Sequence, residues 1–106
     1  MHRELLQMLI GFEWDTGNAT KNQQSHDVSQ REAEEVFVND DLLLVPDARH
    51  SQSESRYYVF GMTSRKRLLA IAFTVRGTRI RVIMARDMSR KERNWYEKEI
   101  EKNPSA

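Results

Sequence analysis

The feature that most constrains the fold is the run Leu68-Leu69-Ala70-Ile71-Ala72-Phe73-Thr74-Val75, apolar except for Thr74. It is too short to cross a bilayer. Bounded by turn residues, a run of this kind is expected to form a central strand buried on both faces. Ser64-Arg65-Lys66 before it and Arg76-Gly77 after it supply the turns. A strand is expected on either side. In Arg56–Thr63, Tyr57, Val59 and Gly61 oppose Tyr58, Phe60 and Met62. In Arg79–Ala85, Ile80, Val82 and Met84 alternate with Arg79 and Arg81. Connections this short imply antiparallel pairing.

The remaining elements follow from caps and breakers. Met8–Trp14 reads as a short strand with Leu9, Ile10, Phe12 and Trp14 apolar. Asp15 is a candidate cap for a helix over Thr16–Ser25, although Gly17, Asn18, Thr20 and Asn22 are poor helix formers. Ser29–Val38 reads as a helix opened by the capping box Ser29-x-x-Glu32. Ala33, Val36 and Phe37 share one face of it, and Val28 is placed to staple onto Ala33. Leu42–Val45 is a short strand stopped by Pro46, and 47–55 reads as a mobile polar loop. Ser89 and Glu92 form a second capping box, starting a helix that runs to Lys102 with Trp95 and Ile100 as apolar anchors. The expected architecture is one α+β domain over 1–106, with flexible ends at 1–6 and 103–106. Two N-terminal helices and a C-terminal helix surround a curved, mainly antiparallel sheet.

The formal net charge of +1 conceals an asymmetry. Residues 1–55 carry −7, residues 56–93 carry +9 and residues 94–106 carry −1. A domain gathering +9 in 38 residues presents a positive face, which attracts polyanions or is simply a solvated basic surface. Arg79 and Arg81, two apart on a strand, point to the same face. Arg86 is out of phase with them by one residue, and Arg67 opens the neighbouring strand. The chain has no Cys and three scattered His, which excludes disulfides and thiolate zinc sites. No signal peptide is visible, so the expected location is the cytoplasm.

Several segments together resemble the BrnT toxin family. Phe12-Glu13-Trp14-Asp15 matches its FEWD opening, and Asn22, His26 and Val28-Ser29 match an N-x-x-K-H-G-V-S segment. Glu34-Glu35-Val36-Phe37, Asp40-Asp41, Pro46-Asp47, His50-Ser51 and Arg56 continue the pattern. Arg67-Leu68-Leu69, Phe73-Thr74, Arg76-Gly77, Arg79–Ile83, Ala85-Arg86 and the Arg90–Tyr96 helix start complete it, so that the resemblance spans about 12–97. It implies a RelE-like endoribonuclease, the toxin of a type II pair that inhibits translation until neutralised by a BrnA-like antitoxin. It further implies a hetero-oligomer with that antitoxin, which alone contacts operator DNA, and no cofactor, metal or membrane. The chain departs from the family pattern at Asn18 and Ser25, where relatives usually carry Lys, at Asp27 for Gly, and at Val75 for Glu. Those departures keep a second reading open: a weak or inactive relative that binds RNA or antitoxin without cleaving.

The implied chemistry is attack of a ribose 2′-hydroxyl on its neighbouring phosphate. It needs a proton acceptor, stabilisation of the phosphorane and a proton for the leaving oxygen. Arg suits the second task because its planar fork binds phosphate oxygens in pairs. The candidate catalytic residues are Arg81, Arg86, His26 and Arg67. His26 suits acid–base work, or caps and bridges the helices. The candidate RNA-binding residues are Arg79, Arg65, Lys66, Arg56, Asn22 and Tyr96, the last as a base-stacking ring. Of Tyr57 and Tyr58, alternation allows only one to face RNA. Glu13 is placed to pair with a nearby Arg, and Trp14 is placed in the core.

Overall fold

The structure, a computed structural model, describes residues 11–14, 26–50 and 54–102. The helix expected over Thr16–Ser25, with Asn18, Asn22 and Ser25, lies outside the described residues, as do 1–10 and 103–106. The chain folds into a mixed five-stranded sheet with two helices among the described residues. The elements are β1 (Gly11–Phe12), α1 (Gln30–Val38), β2 (Leu43–Pro46), β3 (Arg56–Met62), β4 (Leu68–Arg76), β5 (Arg79–Asp87) and α2 (Arg90–Lys102). Sheet order is β1-β5-β4-β3-β2, with β1 parallel to β5 and every other pair antiparallel. The apolar run is therefore the middle strand, as its composition requires. Part of the segment expected as a loop, Ala48–His50, forms a 3-10 turn, and Asp47 is buried.

Both capping boxes form. Ser29 Oγ accepts from the Glu32 amide at 3.1 Å, and Glu32 accepts from the Ser29 amide at 3.1 Å. Ser89 and Glu92 repeat the arrangement at 3.1 and 2.9 Å. Each box satisfies two N–H groups that a helix start otherwise leaves orphaned. Val28 and Ala33, each about 1% exposed, share one cluster, as a staple requires.

The sheet has a core on each face. On one side, Val59 of β3, Leu69, Ile71 and Phe73 of β4, and Ile80, Val82 and Ala85 of β5 pack under Ala33, Val36 and Phe37 of α1. Burying side chains of that size contributes about 1.5–3 kcal/mol each for Val36 and Phe37. Phe37 makes edge-on contacts with Phe12 and Phe73 at 5.4 and 5.0 Å. On the other side, Phe60 and Ala70 pack against Tyr96 and Met88, with Leu43, Val45, Tyr58, Leu68 and Ile100 around them. Gly61 is where α1 presses closest on β3. A Cβ there would sit 2.9 Å from Val36 Cγ1.

Two elements differ from simple alternation. In β5, Val82 pairs with Phe73 but Met84 pairs with Ala72, so Ile83 is an extra residue, a β-bulge. Met84 therefore leaves the face of Ile80 and Val82, and Ala85 takes the core place that alternation assigned to Met84. On α2, Tyr96 is the buried anchor at 3% exposure, while Trp95 is 36% exposed and rests edge-on against Phe60. Tyr96 and Ile100 are four apart and meet the sheet on one stripe, which Trp95 misses by one residue.

Candidate nucleic-acid interface

Cross-strand partners share a sheet face, so the register alone assembles the site. Arg56 of β3 pairs with Thr74 of β4, and Thr74 pairs with Arg81 of β5. Arg76 pairs with Arg79 in the next row towards the hairpin. Behind the Arg81 row, Tyr58, Ala72 and Met84 form a row, and Phe60, Ala70 and Arg86 form another. Every one of these residues is on the face opposite α1. Without the bulge at Ile83, Arg86 would point into the α1 core. With it, Arg56, Arg76, Arg79, Arg81 and Arg86 lie on one face.

Arg79 is exposed, while the side chains of Arg81 and Arg86 keep 22% and 30% of their surface. Thr74 is 1% exposed, and among the described residues its hydroxyl makes no hydrogen bond. Acidic side chains border the row. Glu13 contacts both Arg81 and Arg76 at 3.5 Å, and Glu54 contacts Arg76 at 3.7 Å. Arg86 forks onto Glu92 at 2.7 and 2.9 Å. That bond holds the Glu92 carboxyl below its usual range, mainly through Arg86, against the opposing effect of burial. Tyr58 also interacts with Arg86, which makes it the member of the Tyr57–Tyr58 pair on the Arg face. Tyr57 stacks on Phe73 on the α1 side.

Arg67 stands apart from this face. Its guanidinium donates to both Asp87 oxygens at 2.8 and 3.0 Å, to Glu32 at 3.1 Å and to the carbonyls of Asp27 and His26 at 2.8 and 3.2 Å. It ties the segment before α1 and the α1 N-terminus to the end of β5. Its pKa is raised, first by the bonds to Asp87, and the Asp87 carboxyl is lowered in return. Burial works upward on the Glu32 carboxyl, but the Ser29 amide and Arg67 outweigh it and bring it down. Asp27, at φ 53°, sits in the left-handed region that Gly adopts without cost. His26 is exposed and close enough to Asp87 for its charge to act on that carboxyl. Asp87 is six residues along β5 from Arg81, roughly 15–20 Å at strand rise, and it pairs with Leu69 on the α1 side. His26 and Arg67 are thus brought to each other but not to the Arg81 row.

The other sequence candidates divide. Arg65 and Lys66 lie exposed in the turn joining β3 to β4, at the opposite end of the sheet from Arg79, with Lys66 at φ 67°. Arg65 lines a pocket of about 300 Å³ together with Arg31, Glu32 and Glu35, so two carboxylates offset the two cations there. Tyr96 is removed from base stacking, because its ring is buried and its hydroxyl donates to the Asp41 carbonyl. Asn22 is outside the described residues. Trp14 is half-buried against the α1-side core, and its indole N–H donates to Glu34 at 2.7 Å. Val75 faces the same core, paired with Ile80, so the absence of Glu at this position removes no carboxylate from the Arg face. Among the described residues no helix is long and apolar enough to cross a membrane.

The fold is a small α+β domain whose sheet gathers five arginines on one face, and guanidinium groups are donors suited to phosphate oxygens. Residues 14–92 match the family described as ribonuclease toxin, BrnT, of type II toxin–antitoxin system, and the chain belongs to that family. The crystal structure of the ribonuclease toxin BrnT of Brucella abortus superposes with a TM-score of 0.59 at 18% identity, covering 76% of this chain and 99% of that one, which supports the fold. No curated protein is significantly similar in sequence. Family membership makes the chain a ribonuclease toxin, with RNA as the target and an antitoxin as the partner.

Proposed function

We propose that the chain is a metal-independent endoribonuclease that inhibits translation in the cytoplasm until a BrnA-like antitoxin neutralises it, and that only this antitoxin contacts operator DNA. The observation that carries the reading is the gathering of Arg56, Arg79, Arg81 and Arg86 on one sheet face by strand register and the Ile83 bulge. Arg81 holds the reacting phosphate, and its fork stabilises the charge that grows on the phosphorane. Arg86 serves the same phosphate or its neighbour after exchanging Glu92 for it. Arg56 and Arg79 hold the strand on either side. Arg67 is a positioning residue, because its guanidinium is committed to Asp87 and Glu32 in the free chain. In this reading Arg81 and Arg86 take on the neutralisation of the phosphate, a task that a metal ion performs in other enzymes.

The test is incubation of purified chain with RNA in EDTA. Cleavage is expected, and Arg81→Ala should slow it about 10²–10³-fold, the usual loss for one aimed donor. Intact RNA overturns the reading. RNA binding without cleavage would instead identify a non-catalytic module, a reading favoured by the carboxylates that cover Arg81 and Arg86 in the free chain.

A further inference from the structure

The Arg face needs a proton acceptor, and the geometry points to Glu13: we propose that its carboxylate is the general base that takes the 2′-hydroxyl proton of RNA bound at Arg81. This inference rests on the ribonuclease reading above.

A general base must lie within reach of the proton it removes. His26 is at the far end of β5, beside Asp87 and on the α1 side. Among the described carboxylates, Glu13, Glu54 and Glu92 touch arginines of this face. Asp47, which is buried, lies beside Arg56, its amide donating to the Arg56 carbonyl at 2.8 Å, two strands away from Arg81. Glu92 is committed twice, to the fork of Arg86 and to the Ser89 amide that it caps. Among the described residues Glu54 reaches Arg76, at 3.7 Å, in the row beyond the one that holds Arg81.

Glu13 is distinguished by its place beside Arg81 and by contacts that are longer than those of Glu92. Gly11 and Phe12 pair in parallel with Arg79 and Ile80, and the Glu13 amide extends that ladder by donating to the Ile80 carbonyl at 2.8 Å. Its backbone is therefore fixed beside Arg81. Phe12 points to the α1 core, so alternation sends Glu13 to the Arg face. There its carboxylate stands 3.5 Å from both Arg81 and Arg76, with 38% of the side chain exposed to an incoming ligand. A phosphate seated on Arg81 has Glu13 as its immediate neighbour, and the attacking 2′-oxygen is part of the ribose attached to that phosphate.

The step balances without a co-reactant. Glu13 takes the hydroxyl proton, the 2′-oxygen bonds to phosphorus, and the bond from phosphorus to the 5′-oxygen breaks. The products are a 2′,3′-cyclic phosphate and a 5′-hydroxyl, whose proton comes from solvent. Arg81 and Arg76 have a second task, since both stand 3.5 Å from the Glu13 carboxylate and aim it.

The experiment is single-turnover cleavage of an RNA oligonucleotide by the full chain, with affinity measured separately on its uncleavable 2′-deoxy counterpart. Glu13→Gln keeps the shape and an acceptor for Arg81 but cannot take a proton. It should slow cleavage at least about 10²-fold, the usual scale for losing a general base, with affinity unchanged or tighter because a negative charge is gone. Glu13→Asp, which retains the charge but withdraws it by one methylene, should cleave at an intermediate rate. The proposal is overturned if Glu13→Gln cleaves as fast as the parent, if it loses rate and affinity together, or if the loss falls on His26→Ala instead. Failure of the parent chain itself to cleave would overturn the ribonuclease reading, an outcome distinct from a parent that cleaves and a Glu13→Gln variant that matches it.

Discussion

Trp95 and Tyr96 are adjacent in sequence and exchange the roles that their chemistry alone would assign. The larger, more apolar indole is the natural anchor for α2, and the phenol is the natural ring for a base. Helical phase decides otherwise, because Tyr96 shares its stripe with Ile100 and its hydroxyl finds the Asp41 carbonyl. Burial pushes the Tyr96 pKa up to about 12 from an ordinary value of 10.0. The neutral phenol is therefore favoured by the folded state. Its contribution is complete below pH 10, and it is lost as pH rises towards 12, where the unfolded chain ionises first. Tyr96→Phe should remove that alkaline loss and cost about 1 kcal/mol at neutral pH for the missing hydrogen bond. Urea denaturation at pH 7 and pH 11 measures both. Arg67 teaches the same lesson about charge: an arginine in a basic segment is free for RNA only if no carboxylate has claimed it, and Asp87 and Glu32 have claimed this one.

At the scale of elements, helix starts were legible and strand phase was only half legible. Both capping boxes form because an S-x-x-E pattern is a local hydrogen-bond circuit that needs nothing beyond its own turn. The three strands from Arg56 to Asp87 were legible from hydrophobic runs and turn residues. Gly77, at φ 62°, opens the two-residue turn between Arg76 and Arg79. The bulge at Ile83 was not legible, because a strand of Ile, Val and Met gives no sign of which residue is extra. Its effect is large, as it moves Arg86 to the Arg face and Ala85 into the core. Gly61 is the second hidden device. Gly61→Ala would push its Cβ against Val36, which is fully buried and cannot yield cheaply. The expected cost is about 1–3 kcal/mol, read as a lowered denaturation midpoint with an unchanged slope.

At the scale of the whole molecule, the +9 segment from 56 to 93 is not one surface. The β3–β4 turn carries Arg65 and Lys66 to one end of the sheet, while Arg76 and Arg79 lie at the other, and the acidic half supplies Glu13 and Glu32 against it. RNA binding should therefore depend on one part of the basic segment. The logarithm of affinity should fall linearly with the logarithm of salt concentration, by about 0.7 for each phosphate neutralised on a single strand. Arg79→Ala should reduce that slope by about one contact. Arg65→Ala combined with Lys66→Ala should leave it unchanged, and an equal loss from both would mean that RNA crosses the whole sheet. Titration of binding between about 50 and 300 mM salt, a range over which the Debye length shortens through about 10 Å, separates the two outcomes.

The central strand, its two hairpins, both helix starts and the family resemblance follow from the sequence by itself, because each depends on residues close together in the chain. The pairing of Arg79 with Arg81 on one face belongs there too, since strand alternation is local. Only the tertiary structure decided that Arg86 joins them, that Arg67 is bound by Asp87 and Glu32, that Glu13 lies beside Arg81, and that Tyr96 is core. These depend on which residue a strand skips and on which distant carboxylate a cation meets. Both are settled by packing across the sheet, between residues 20 to 68 positions apart for the ion pairs of Arg67 and Arg81.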